Sequence, residues 1–244
     1  MAAEAFAPSV AADRKGQPVS RIRAAWTVRI RKLEVTPREA IVVGVAFGLL
    51  VFGWSGITFL VELALGYSAR APSAPSQSFA LLDGIWHVAT AFAVALPARR
   101  RLYLWYAPAV GLGADLDHLF GATLPTVVLR PAHDLIFLGI LGVALFALFG
   151  RFAALSAPGL FLLHIGVDGG LFPFFAPATL TTDSLTFPEQ VALISAGASL
   201  VFIATRRARD LRSPRAWLSI VGAVAVLAAV LALLPAGFSG FTSN

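Results

Sequence analysis

The chain has 244 residues, of which 58% are hydrophobic and only 13% charged, where a soluble domain carries about a quarter charged residues. That composition excludes an ordinary soluble domain, and the absence of cysteine excludes disulfides, iron–sulfur clusters and thiolate zinc sites. The net charge of +6 is gathered at the ends of apolar segments, which points to membrane orientation and away from nucleic acid.

Residues 1–38 form a basic leader. Within "SRIRAAWTVRIRKL", Ile22, Trp26, Ile30 and Leu33 recur at helical spacing between cationic residues. This predicts an interfacial helix over 20–33 lying on anionic lipid; the alternative is a disordered basic tail that orients the chain. The leader is not read as a cleaved signal peptide, because the first apolar segment starts late and no small-residue cleavage site follows it. Residues 39–238 are read as one transmembrane domain and 239–244 as a short tail.

Seven apolar segments follow, at about 39–66, 79–98, 102–121, 132–150, 152–176, 189–205 and 215–236, each near the ~20 residues that a bilayer core demands of a helix. Thr36-Pro37-Arg38-Glu39 and Thr186-Phe187-Pro188-Glu189 are helix starts in capping-box order, and Ser213-Pro214 opens the last segment. The predicted fold is therefore an all-α polytopic membrane bundle of about seven helices. Of the 19 Lys and Arg, eight precede residue 39, three are Arg99, Arg100 and Arg101, one is Arg151, and five lie between Arg206 and Arg215. With seven spans all of these share one side, and only Arg70 and Arg130 fall opposite. The asymmetry predicts the N-terminus inside and the C-terminus outside, in a prokaryotic inner membrane.

The ionisable residues inside the spans carry the chemistry. Each of the four histidines has an aspartate close by: Asp83 with His87, Asp115 and Asp117 with His118, Asp134 with His133, and Asp168 with His164. Spacings of three and four place Asp83/His87, Asp115/His118 and His164/Asp168 on common helix faces. Asp117 joins Asp115 only if the helix ends or unwinds there. In the predicted topology all four sets reach the outer half of the membrane, with Glu62 near the outer end of the first span. Facing lipid, they would cost on the order of 10–20 kcal/mol in total, so they face one another, water or a ligand.

Imidazole and carboxylate without thiolate suit a divalent metal: zinc first, manganese or iron next. The proposed ligands are His87, Asp115, His118, His133, His164 and Asp168, with Asp83, Asp134 and Glu62 as possible additions. Asp117 is a further ligand or the base that orients water, and Arg130 is placed to stabilise negative charge on a phosphate or carboxylate oxygen. A metal site of this kind supports hydrolysis. The competing readings are a His/Asp proton or ion pathway and a non-catalytic subunit that packs on partner proteins. Membrane lipid is the expected partner, with a homo-oligomer or a larger membrane complex also open. Gly53-Trp54-Ser55-Gly56 is read as small-residue helix packing.

The order of these motifs resembles the YdjM-like family of prokaryotic inner-membrane proteins classed as metal-dependent hydrolases. The motifs are an early-span His87, then Asp115-x-Asp117-His118, then Arg130-x-x-His133, then His164-x-x-x-Asp168 followed by glycines and a Pro-Phe segment. The likeness covers about residues 80–177. It implies a metal-dependent hydrolase acting near the outer face on a lipid headgroup or another extracytoplasmic (phospho)ester. In "LRPAHDL" a leucine stands where the family has a histidine, so Asp134 or Asp83 would take that ligand's place.

Overall fold

A computed structural model describes residues 36–66, 85, 88–90, 103–117, 132–168, 171–172, 178, 183–206 and 210–233. The described residues are almost entirely helical. Helix α1 runs Pro37–Ala64 and α2 runs Tyr103–Ala114, tightening into a 3₁₀ turn at Asp115–Asp117. Helices α3 (Leu135–Phe149), α4 (Arg151–Asp168), α5 (Phe187–Thr205) and α6 (Pro214–Leu233) follow. Between α4 and α5, two-residue strands β1 (Leu171–Phe172) and β2 (Asp183–Ser184) pair antiparallel.

These six helices fall on six of the seven apolar segments. The other segment, 79–98, lies outside the described residues except for helical residues at 85 and 88–90. So do residues 1–35 of the leader, most of the 67–102 stretch and the C-terminal tail. By length and apolarity, α1, α5 and α6 can each cross a membrane, while α3 is apolar but only 15 residues long. The expected 152–176 span is a correction: α4 ends at Asp168 and a strand pair follows, where the sequence runs into Gly169-Gly170 and Pro173.

The helix starts obey the local signals. At α1, Thr36 Oγ1 accepts from Glu39 N at 3.2 Å and Glu39 Oε2 accepts from Thr36 N at 2.7 Å, a reciprocal cap. At α5, Glu189 Oε2 accepts from both Thr186 N and Thr186 Oγ1. Asp134 starts α3 by accepting from Phe137 N at 2.6 Å.

Two seams organise the bundle. Along the first, a Cβ at Gly44 would meet Ala109 at 3.2 Å and one at Gly113 would meet Phe47 at 2.9 Å, so α1 and α2 run side by side in the same direction. Along the second, a Cβ at Gly159 would meet Gly197 O at 2.8 Å, and one at Gly166 would meet Gln190 O at 2.9 Å and Ile194 at 2.8 Å. Helices α4 and α5 are therefore antiparallel and in backbone contact. Small residues at such seams let dispersion and close packing act where lipid removes the hydrophobic drive between helices.

Helix α4 is central. It touches α2, α3 and α5, and every residue from Ser156 to Asp168 is buried. A single residue, Gly150, joins α3 to α4 with φ +86°, a conformation that costs a side-chain-bearing residue energy. The result is a tight helical hairpin. His133 lies 17 positions before Gly150 and His164 lies 14 after it, about 25 Å and about 21 Å along the two helix axes, so the hairpin carries both histidines to one end of the bundle.

Candidate metal centre

The site forms where α2 ends, α3 begins and α4 ends, against the middle of α1 from Phe47 to Trp54. Tightening of the helix to 3₁₀ geometry at Asp115–Asp117 is the unwinding that Asp117 needs to join Asp115. Both carboxylates face the α3–α4 hairpin, but each meets a different histidine.

Asp117 Oδ2 lies 2.7 Å from His133 Nδ1 and accepts from Ala132 N at 3.2 Å. An ionised carboxylate only accepts, so His133 carries its proton on Nδ1 and turns the Nε2 lone pair inward. That lone pair faces His164 Nε2 at 3.0 Å. His164 Nε2 in turn lies 3.2 Å from Asp115 Oδ1. Asp168, four residues after His164 on the same face, brings Oδ2 to 3.9 Å from His133 Nε2.

Asp115, His133 and His164 offer three ligand atoms within 4.8 Å of one another, a group that could hold a metal ion. The spacing fits such an ion: bonds of about 2.0–2.1 Å place tetrahedral ligand atoms roughly 3.3 Å apart, beside the observed 3.0 and 3.2 Å. The charges fit as well. Asp117, His133, His164 and Asp168 are at most 2% exposed, while the Asp115 side chain keeps 19% exposure and marks the open edge. Among the described residues, three carboxylates and two imidazoles gather in this dry place, where buried charge is offset by protons, by basic side chains or by a metal cation. The pattern behind the ligands also fits, since metal-bound histidine usually donates its other ring nitrogen to a carboxylate, as His133 does to Asp117.

Around these groups is an aromatic wall centred on Phe161, one turn before His164. Its ring lies 5.3 Å from His133 and 6.0 Å from His164, and it meets Phe47 of α1 and Phe137 of α3 at 5.8 and 5.9 Å. Sequence patterning does not single this residue out, because one phenylalanine among 19 carries no mark of its neighbours.

Trp54 also goes unmarked as a site residue in the sequence reading. Its indole Nε1 donates to Asp134 Oδ2 at 2.6 Å, linking α1 to the residue beside His133. The available signal is a tryptophan in mid-span, whose N–H needs a partner when buried. The packing reading of Gly53-Trp54-Ser55-Gly56 does not hold at Gly53, where a Cβ would meet nothing within 4 Å. Ser55 instead bonds its own helix at Val51 O.

The structure distributes the remaining candidates as follows. Asp134, a possible additional ligand from the sequence, spends one carboxylate oxygen on the α3 cap and the other on Trp54 and is not a member of the group of converging ligand atoms. Asp117 likewise sits behind His133, across the ring from Nε2, and not among the three converging ligand atoms. Glu62 is buried on α1 and is not a member of that group. Asp83, His87, His118 and Arg130 lie outside the described residues.

No family model matches the chain, and neither does any curated protein or solved structure.

Proposed function

We propose that this chain is a membrane-embedded, metal-dependent hydrolase of (phospho)esters, with zinc as the preferred ion. The observation that carries the reading is the convergence of His133 Nε2, His164 Nε2 and Asp115 Oδ1 within hydrogen-bonding distance of each neighbour. Two histidines and one carboxylate with a further position open form the donor set of a catalytic zinc site, and a structural site would close the shell. When bound, the cation supplies Lewis acidity toward an ester oxygen and lowers the pKa of water. Asp117 holds the His133 tautomer, and Asp168, 3.9 Å from His133 Nε2, stands beside the open position as an acceptor for a water proton. Arg130, two positions before the Ala132 amide that contacts Asp117, offsets developing negative charge. The motif order shared with the YdjM-like family supports the same chemistry.

The frame of the proposal is seven spans with the N-terminus inside, which sets the site in the outer half of a prokaryotic inner membrane. The parallel course of α1 and α2 supports it, since a chain must cross back between two parallel neighbours, and segment 79–98 has the length to do so.

A second reading rests on the same distances. Asp117, His133, His164 and Asp115 form an unbroken chain of contacts at 2.7, 3.0 and 3.2 Å, which without a cation is a proton relay. Elemental analysis of the purified protein beside His133→Ala and His164→Ala separates the two. Stoichiometric zinc, manganese or iron that disappears in both variants supports the metal site and calls for a screen of phosphoesters. Metal absent after reconstitution, or unchanged in the variants, overturns it in favour of the relay.

A further inference from the structure

At the end of α4 away from the metal centre, α4, α5 and α6 meet, and arginines gather there. Arg151, the first residue of α4, donates from Nη2 to Ile203 O near the end of α5 at 3.1 Å. Next to Ile203, the Phe202 ring lies under the Arg206 guanidinium, whose carbon is 5.3 Å from the ring centroid. The same ring packs on Trp217 of α6 at 4.9 Å. The Trp217 indole donates to Leu211 O at 2.8 Å, which ties the 3₁₀ turn Asp210–Arg212 to α6. Arg212 and Arg215 are exposed beside this tie.

The chain does not supply the counter-charge. Residues 206–215 hold five arginines and one aspartate, so Asp210 offsets one charge of the five. In the seven-span frame, 17 of the 19 Lys and Arg lie on this side with five acids, Glu4, Asp13, Glu34, Glu39 and Asp210. Helix dipoles add to the excess. Arg151 and Arg215 sit in the first turns of α4 and α6, where neither helix has an acidic residue and a cation is disfavoured. Helix α1 starts on the same side yet carries Glu39 in its first turn, so membrane orientation alone does not require acid-free starts.

Two features identify the anion as a lipid headgroup. The junction lies at the ends of α5 and α6, both long and apolar enough to cross a membrane, and Trp217 is of the type enriched where hydrocarbon gives way to headgroups. From Arg215, Leu218 and Val221 follow at intervals of three and are 65% and 61% exposed, an apolar strip for the acyl chain behind a phosphate. The planar guanidinium fork suits phosphate oxygens.

We propose that Arg151, Arg206, Arg212 and Arg215 bind the phosphate headgroup of an anionic phospholipid of the inner leaflet. The site is separate from the metal centre, goes beyond the hydrolase reading and rests on the seven-span frame. A lipid held there bridges the ends of α4, α5 and α6.

The test uses the full chain in phosphatidylcholine vesicles containing a small share of phosphatidylglycerol with a photoreactive diazirine near the glycerol end of one acyl chain. The same diazirine on phosphatidylcholine is the lipid control. Arg212→Gln/Arg215→Gln removes two exposed charges of the site, and Lys32→Gln/Arg38→Gln removes two on the same side at the start of α1. Labelling of peptides 152–157 and 216–222 should be at least fivefold stronger with phosphatidylglycerol than with phosphatidylcholine. It should fall about fivefold or more in Arg212→Gln/Arg215→Gln and stay unchanged in Lys32→Gln/Arg38→Gln. Equal labelling by the two lipids, or equal loss in both variants, overturns the site. Labelling abolished by millimolar inorganic phosphate assigns the arginines to a soluble phosphate and overturns the lipid assignment, whereas labelling indifferent to it supports the lipid. Metal content of Arg212→Gln/Arg215→Gln should match the wild type, so failure here is distinguishable from failure of the hydrolase reading.

Discussion

His133 is held by its neighbours on both sides. Asp117 accepts a hydrogen bond from its Nδ1–H, and Asp134, next in the chain, is tied to Trp54 and to the α3 amide at Phe137. Asp117→Asn keeps the shape but offers an amide that can donate to Nδ1, which moves the ring proton onto Nε2 and into the ligand cluster. Metal affinity is expected to fall about 10–100-fold, read by competitive zinc titration. Trp54→Phe removes one donor from a buried carboxylate. It should cost about 1–3 kcal/mol of stability, read as a lower thermal midpoint in detergent, with metal stoichiometry preserved if the role of Trp54 is support.

At the scale of the elements, glycines separate two classes of position. Gly197 faces the α4 backbone, where a Cβ would lie 2.8 Å from Leu163 N, and backbone does not yield as a side-chain tip does. Gly197→Ala should destabilise by about 1–3 kcal/mol. Gly139, on the open face of α3, meets nothing within 4 Å, and Gly139→Ala should be neutral or stabilising by up to about 1 kcal/mol. The pair of variants, compared by thermal unfolding, distinguishes packing from helix propensity. The caps at Thr36 and the proline starts of α1, α5 and α6 were legible in sequence because a cap is a local signal that a few adjacent residues fully express. The end of α4 was not, because apolarity continues past Asp168 while the backbone changes to strand.

For the whole molecule, the apolar segments and the clustering of His with Asp were legible because the bilayer penalises ionisable groups and so makes them conspicuous. Which histidine meets which aspartate was not. Neighbours in sequence suggested Asp134 with His133, yet Asp134 turns to Trp54, and Asp115 reaches His164, which lies 49 positions further along the chain. Helix packing decides those pairs, and it is not a local property. The absence of cysteine makes the topology directly testable with single-cysteine variants. In sealed cells a membrane-impermeant maleimide should label Ser76→Cys and Ser184→Cys, and should label Ser213→Cys only after lysis. Labelling of Ser213→Cys from outside would contradict the seven-span arrangement.

The one-residue turn at Gly150 also bears on the order in which the chain comes together. His133 and His164 are separated by 31 residues, nearly all of them helix, so bringing them together closes a short and stiff loop at small entropic cost. Contacts this local form early. Asp115, Asp117 and His133 all precede His164 in synthesis, and Asp168 follows it by only four positions. The whole described ligand set therefore exists before a single residue of α5 has been made, which opens the centre to a cation while the chain is still emerging and leaves α5 to close over the glycine face of α4 afterwards.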